Sequence, residues 1–503
     1  MFLSGPSWMV VPIIAPLAAG LLCFLIRRRA AGIALAAIGV NVLSAAILVR
    51  QFLSGGSGLY QMGGWTAPLG ISLRTDGPAL IMLVMTAVTA VGISIYSWGY
   101  FSFRVDGPAR IGDLEKQGRF FWPLWMLLLS ALNGLYLSGD VFNLYVTLEL
   151  IAISATALAA LSGKNASYIA ALRYLLVSLL GSLSYLLGVV FLYKTYGVLD
   201  LRLLRGMAAP DPGVSAALAL MSTGLLLKTA LFPLHFWLPP AHANAPAPVS
   251  AILSGLVVKG SFFLMFRLWF DIFSPVLPGP AYDLVGILGA AAILWGAVQA
   301  LRQQHLKLLI AYSTVSQLGY LFIAFPLALT GSGSHAWSAV IFMAAGHACA
   351  KSAMFMGAGT IHLHTGHDRI RELAGIRAYL PVTVLAYAAA GVNLMGLPPS
   401  GGFVAKWMML ISSLSSNQWP WALVLMAGSL LAAAYVFRVV SRLFVIPPET
   451  PVVKRHRRTA LLEWPALALA VISLLLGLIA PYPLQLLAIG SAPVQVVAMG
   501  VVP

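Results

Sequence analysis

Charge is scarce in this chain. Asp, Glu, Lys and Arg make up 9% of its 503 residues, where a soluble protein carries about 25%. Of those charges only 14 are acidic against 30 basic, a net +16. Cysteine is scarcer still: Cys23 and Cys349 lie in different apolar runs, which excludes a disulfide framework and a cysteine-built metal site. The sequence has no phosphate-binding glycine loop, no CxxCH haem attachment and no cysteine cluster for an iron–sulfur centre, so nucleotide hydrolysis has no home here. Polar stretches are short as well, the longest (about 54–76, 99–120, 194–213 and 362–380) being the size of loops. No cofactor is expected, and any driving energy must arrive as an ion gradient or through contact with another subunit.

Apolar sequence fills the space that these absences leave. Hydrophobic residues make up 60% of the chain and its mean hydropathy is +0.91. The runs are about 20 residues long, enough to cross roughly 30 Å of hydrocarbon as helices, and they are continuously apolar where barrel strands would alternate. The reading is an all-α polytopic membrane protein with fourteen spans, near 8–26, 31–53, 77–98, 121–138, 141–162, 170–193, 214–237, 248–271, 281–301, 308–329, 336–361, 381–411, 420–445 and 461–480. The first is expected to be a retained helix, since it lacks a basic leader and a small-residue cleavage site and is followed by Arg27, Arg28 and Arg29.

Twenty of the thirty basic residues fall on one side of these spans, six on the other (Arg50, Arg74, Lys194, Arg202, Arg205 and Arg267), and four lie within them. Loops rich in Lys and Arg stay cytoplasmic, which predicts a bacterial or archaeal cytoplasmic membrane protein with both termini outside. Scattered over several loops without interleaved stacking aromatics, the basic residues speak against nucleic acid. The KRHRR run, Lys454 to Arg458, reads as a topology anchor that can also meet anionic lipid.

The four intramembrane bases are Lys228, Lys259, Lys351 and Lys406, and Glu149 is the one acid expected deep within a span. A charge at the bilayer centre costs roughly 2.5–3.5 kcal/mol on insertion scales, so such residues usually line an ion or proton path. Burial disfavours a lysine's charge and a nearby carboxylate restores it, so an amine with a movable anionic partner can be toggled. Glu149 is the leading partner for Lys228; a static ion pair is the bland alternative. A lone carboxylate is a poor cage for a hard cation, which wants several oxygens.

Pro233 follows Lys228 by five residues, and Pro398 and Pro399, beside Gly401 and Gly402, precede Lys406. Each should break its helix, and a broken helix within a membrane is tolerated only where it faces protein or water. Two interrupted helices with the lysine on opposite sides of the break predict inverted five-helix repeats over spans 4–8 and 9–13. The corresponding divisions are 1–120, 121–271, 281–445 and 446–503. Lys351 follows His347 by four residues, on one helix face, which suits either a relay or a hydrogen-bonded packing pair. His235 and His242 flank the exit of span 7, where a gate or proton intake and plain helix-end polarity fit equally. His362, His364 and His367 form an HLHTGH cluster that no Cys or second carboxylate completes, so no metal is expected.

GDVFNLYVTLEL (Gly139–Leu150), LKTALFPLHFWLPPAHANAPAPVSAILSGLVVK (Leu227–Lys259), LKLLIAYSTVSQLGY (Leu306–Tyr320), GHACAKSAMFMGAGTI (Gly346–Ile361) and GLPPSGGFVAKW (Gly396–Trp407) resemble the antiporter-like subunits shared by respiratory complex I, membrane-bound hydrogenases and Mrp-type multisubunit cation/proton antiporters. The likeness covers about 100 to 430 and looks closest to the D subunit of the Mrp type. It implies fourteen helices, broken helices 7 and 12, and a midplane proton path. Matched motif by motif, Glu149 is the helix-5 glutamate, Lys228 and Lys259 the lysines of helices 7 and 8, His347 and Lys351 the helix-11 pair, and Lys406 the helix-12 exit residue. One complex I lineage has glutamate there, so Lys406 argues against that branch.

The expected mechanism is a relay: parting of Glu149 and Lys228 releases a proton toward Lys259, and water with His347 and Lys351 carries it to Lys406. The expected partners are other membrane subunits, lipid and protons, with Na+ or K+ as counter-ion. A redox-driven pump subunit, whose electron carriers reside in partner chains, uses the same helices. A quinone- or haem-binding enzyme would instead need paired intramembrane histidines, and a non-conducting structural subunit is the remaining reading.

Overall fold

The structure, a computed structural model, describes residues 5–103, 108–329, 333–445 and 459–489. The KRHRR run and both chain ends lie outside the described residues. Among the described residues, twelve helices are long and apolar enough to cross a membrane. Expected spans 7 and 12 are the remaining two, and both are interrupted.

In chain order the helices are α1 (Val11–Leu25), α2 (Ala30–Gly55), α3 (Gly77–Phe101), α4 (Pro108–Leu137), α5 (Val141–Ala159), α6 (Asn165–Tyr196) and the short α7 (Leu201–Met207). Span 7 is divided into α8 (Pro212–Thr229) and α9 (Leu238–Asn244), and α10 runs unbroken over Ala247–Ile272. Then come α11 (Gly279–Arg302), α12 (Leu306–Leu327), α13 (Gly333–Thr365), the divided span of α14 (Pro381–Met395) and α15 (Gly401–Ser415), α16 (Trp419–Phe444), α17 (Thr459–Leu478) and α18 (Pro481–Ala488).

Two expectations need correction. Span 4 was placed at 121–138, yet α4 begins at Pro108, because hydropathy locates the apolar part of a helix and misses its polar first turns. The stretch 54–76, read as loop, holds an antiparallel hairpin of β1 (Gly58–Gln61) and β2 (Ser72–Thr75). It is tied to the body where the Gly139 amide donates to Ser72 O at 2.8 Å.

The centre of the bundle is α10 and α13. Their apolar windows are wholly buried, while those of α1, α2 and α16 are only one-third buried. A helix that is hydrophobic all round and buried all round belongs in a core, and α13 packs against α3, α10, α12, α14, α15 and α17. Lys259 on α10 and His347 and Lys351 on α13 are therefore carried to the middle of the protein and away from lipid.

Candidate functional site

Glu149 projects from α5 toward Lys228 on α8, with Oε1 and Nζ 3.9 Å apart. That is ion-pair contact, beyond hydrogen-bond length, and neither atom has another hydrogen-bond partner in the protein. The Lys228 side chain is 6% exposed and that of Glu149 18%, so the carboxylate is the outer member.

Immediately past Lys228 the helix stops. Ala230 turns into the left-handed region (φ 58°, ψ 41°), Pro233 follows, and one freed carbonyl, Leu227 O, accepts from Trp237 Nε1 at 3.0 Å. Thr229 Oγ1 donates to Leu225 O at 2.7 Å and lies 2.9 Å from Ser261 Oγ. A cavity of about 10 Å³ lies between Lys228 and Ser261, with Tyr174, Ser178 and Val257 in its wall. Polar and of that size, it has room for about one water molecule. It links the pair to the next helix.

On α10 the turn Leu253–Val257 is a π-helix, a distortion often found at functional sites. Lys259, fully buried, donates to Ser254 O in that turn. Ser254 Oγ meets Thr314 Oγ1 of α12 at 2.8 Å. Lys351 donates to the neighbouring Ser313 Oγ and to Ile310 O at 3.2 Å. His347 therefore does not form the hydrogen-bonded packing pair with Lys351 that their spacing allowed. Both its ring nitrogens lack a protein partner, and it lies within electrostatic reach of Lys259, Lys351 and Lys406.

Lys406 occupies the second break. α14 ends at Gly396 (φ 79°, ψ 45°), and Lys406 Nζ, reaching back from α15, donates to Leu394 O at 2.7 Å and Met395 O at 3.4 Å. It also lies 4.3 Å from the centre of the Tyr320 ring. The two broken helices thus hold the two ends of one buried series of bases.

The structure separates the two histidines of span 7. His235 is half-buried beside Phe232, at the edge of the break. His242 is fully buried, stacked at 4.9 Å on Phe355 of α13, and neither ring nitrogen has a partner. In the HLHTGH cluster His364 binds Thr360 O and Thr459 Oγ1, and His367 faces Glu372. Among the described residues no three His, Cys, Asp or Glu gather as a metal site.

Two charged sites escaped the sequence reading. Glu463, near the start of α17, is fully buried and accepts from Thr383 N at 3.0 Å and Thr383 Oγ1 at 3.1 Å, on an orphan amide of the first turn of α14. Arg267, counted above on the less basic side, is buried at the end of α10 and bridges Asp76 (2.6 and 2.8 Å) and Asp271 (2.6 Å), while Arg74 reaches the same two carboxylates at 2.7 and 3.2 Å. Burial alone would raise the Asp76 carboxyl; Arg267 and Arg74 outweigh it and bring it down to about 2.

Comparison with known proteins bears on the family and the fold. Residues 138–432 match the family described as NADH:quinone oxidoreductase/Mrp antiporter, TM. Similar sequences include the N subunit of the NADH-quinone oxidoreductase of Desulforudis audaxviator, 34% identical over 87% of this chain and 85% of that one. The D subunit of the Na(+)/H(+) antiporter of Bacillus subtilis is 27% identical over 95% of each. Among solved structures, the Mrp complex from Dietzia sp. DQ12-45-1b contains a chain that superimposes with a TM-score of 0.86 at 25% identity, covering 96% of both. A chain of the membrane-bound sulfane sulfur reductase, an archaeal respiratory membrane complex, gives 0.85 at 25% identity over 96% of both. The protein, with its broken helices and central bases, belongs to the NADH:quinone oxidoreductase/Mrp antiporter transmembrane family.

Proposed function

We propose that this chain is the proton-translocating membrane subunit of a multisubunit Mrp-type cation/proton antiporter. The observation that carries the reading is the Glu149–Lys228 pair: two opposite charges 3.9 Å apart, with no hydrogen bond between them or to other protein groups. Such a pair can part and re-form. When it parts, the Lys228 proton moves across the small cavity beside Ser261 toward Lys259. His347, amid three lysines, passes it on with Lys351 to Lys406, and re-pairing resets the cycle. Moving one charge against 100 mV requires about 2.3 kcal/mol, comparable to one or two pKa units at 1.36 kcal/mol each.

The residues 121–271 and 281–445 form the two inverted repeats in this reading, each contributing one broken helix. The protein lies in a bacterial or archaeal cytoplasmic membrane with the basic loops inside. Glu149 supplies only two oxygens, too few for a desolvated Na+ or K+, so the counter-ion crosses in a partner subunit. Proton flux in the intact assembly tests the relay: Glu149→Gln and Lys228→Ala, with assembly verified, each abolish it, and unchanged flux in both removes the mechanism.

A redox-driven complex is the second reading, favoured by the 34% identity to the N subunit of an NADH-quinone oxidoreductase. Affinity purification of the native complex separates the two, since flavin, iron–sulfur or nickel proteins co-purify only in the redox case.

A further inference from the structure

Among the described residues, the central bases meet an aromatic cluster on one side and a run of titratable groups on the other. Toward the less basic face, Lys259 is followed along α10 by Phe262, Phe263 and Phe266. Phe262 and Phe266 lie against each other, and Phe262 meets Phe322 and Phe325 of α12. About 12 Å farther along the helix, at 1.5 Å per residue over eight residues, stands Arg267, with its guanidinium 5.1 Å from the Phe263 ring. An arginine in two carboxylate pairs does not give up a proton, so this end is an aromatic seal closed by fixed charge.

The opposite face is built differently. His305, with its side chain 47% exposed, meets Asp368 (16% exposed) through Nδ1 and Oδ1 at 2.8 Å. The other oxygen of Asp368 accepts from the Lys307 backbone amide at 3.3 Å, and its charge acts on the Lys307 amine. Half-buried, Lys307 donates to the carbonyls of Ala243 (3.4 Å) and Ala245, on the segment that carries His242. The unpartnered His242 ring lies in electrostatic reach of Lys307, Lys351 and Lys259. Titratable groups thus descend from solvent to the core without an intervening arginine.

We propose that His305, Asp368 and Lys307 form the proton inlet of the relay, delivering through the ring of His242 to Lys351 and Lys259. This rests on the relay reading above. His305 takes a proton from water and gives one from Nδ1 to the Asp368 carboxylate. Asp368 returns that proton to the Lys307 nitrogen as the Lys307 ammonium gives one to His242, and His242 passes its proton on to the amine of Lys351 or Lys259. Each group ends as it began, and no other reactant is consumed.

Proton flux in vesicles holding the whole complex tests the inlet, with Glu149→Gln as reference. Lys307→Arg keeps charge and donors yet does not release a proton at neutral pH, and it should lower flux about tenfold, as a raised barrier at one transfer step does. Asp368→Asn should do the same and Asp368→Glu should retain flux. His305→Ala should be slow and restored by added imidazole, which a merely structural role would not show. Wild-type flux in Lys307→Arg and Asp368→Asn, with Glu149→Gln silent, overturns the inlet and leaves the relay standing. A slow His305→Ala that imidazole does not restore removes His305 from the path. Wild-type flux in Glu149→Gln overturns relay and inlet together.

Discussion

At Lys406 one amine closes a helix end and, in the proposed relay, carries a proton. Its bonds to Leu394 O and Met395 O close the end of α14, where a helix C-terminus favours a positive charge, and Tyr320 covers it. Lys406→Met should leave Met395 O without its partner and Leu394 O with only Gln317 Nε2 at 3.3 Å, at about 1–3 kcal/mol, and in the proposed relay it should abolish flux. Lys406→Arg should hold the helix end and still fail to conduct, because guanidinium keeps its proton. Melting temperature and proton flux, measured together on the two variants, check this: equal flux in Lys406→Arg and wild type excludes a proton step at this position. Lysines inside apolar runs were legible because a charge there is itself the anomaly. The groups they bind were not, since Ile310 O, Ser254 O and Leu394 O are backbone atoms whose exposure is decided by helix distortions. The contact of Glu463 was not legible for a related reason: its partner, Thr383, lies 80 residues away, and nothing near Glu463 in the sequence signals it.

Between elements, packing without side chains sets the tightest distances. A Cβ on Gly224 of α8 would stand 2.2 Å from Gly181 O of α6, and one on Gly181 would stand 2.8 Å from Gly224 O. Small residues allow this approach of helices in a membrane. Gly224→Ala must push α8, and Lys228 with it, away from α6, at about 1–3 kcal/mol for overpacking. Its thermal midpoint should fall, and a midpoint equal to wild type would show that the helices are not in contact there. Breaks at Pro233 and Pro398–Pro399 were readable from residue type, whereas the hairpin of β1 and β2 was not, being only four residues per strand and held by the end of α4.

The charged quartet at the end of α10 belongs to the same scale. Asp76 is lowered to about 2 from an ordinary 3.8, so its ionised form is favoured in the folded protein. That contribution, on the order of 2 kcal/mol, is present above pH 4 and is lost as pH falls through 2. Asp76→Asn should therefore destabilise the protein at neutral pH and flatten the acid limb of its stability curve. Thermal melts of the purified complex at pH 7, 4 and 3 check it; a parallel loss at every pH would mean the pair is not linked to protonation.

For the molecule as a whole, sidedness decides what the internal asymmetry does. The sequence assigns twenty bases to one side and six to the other; the more basic side is where His305 and Asp368 reach solvent, while the other holds the arginine–aspartate quartet. In the proposed orientation, set by the loop charges during insertion, the titratable side faces the cytoplasm and the fixed-charge side faces outward. Gln304 is exposed on the basic face and Leu69 on the opposite one, and both native cysteines are buried. A membrane-impermeant maleimide should therefore label Gln304→Cys only in inside-out vesicles and Leu69→Cys only in right-side-out vesicles. The reverse pattern would place the His305 side outside, so that any proton taken up there would come from the outer medium.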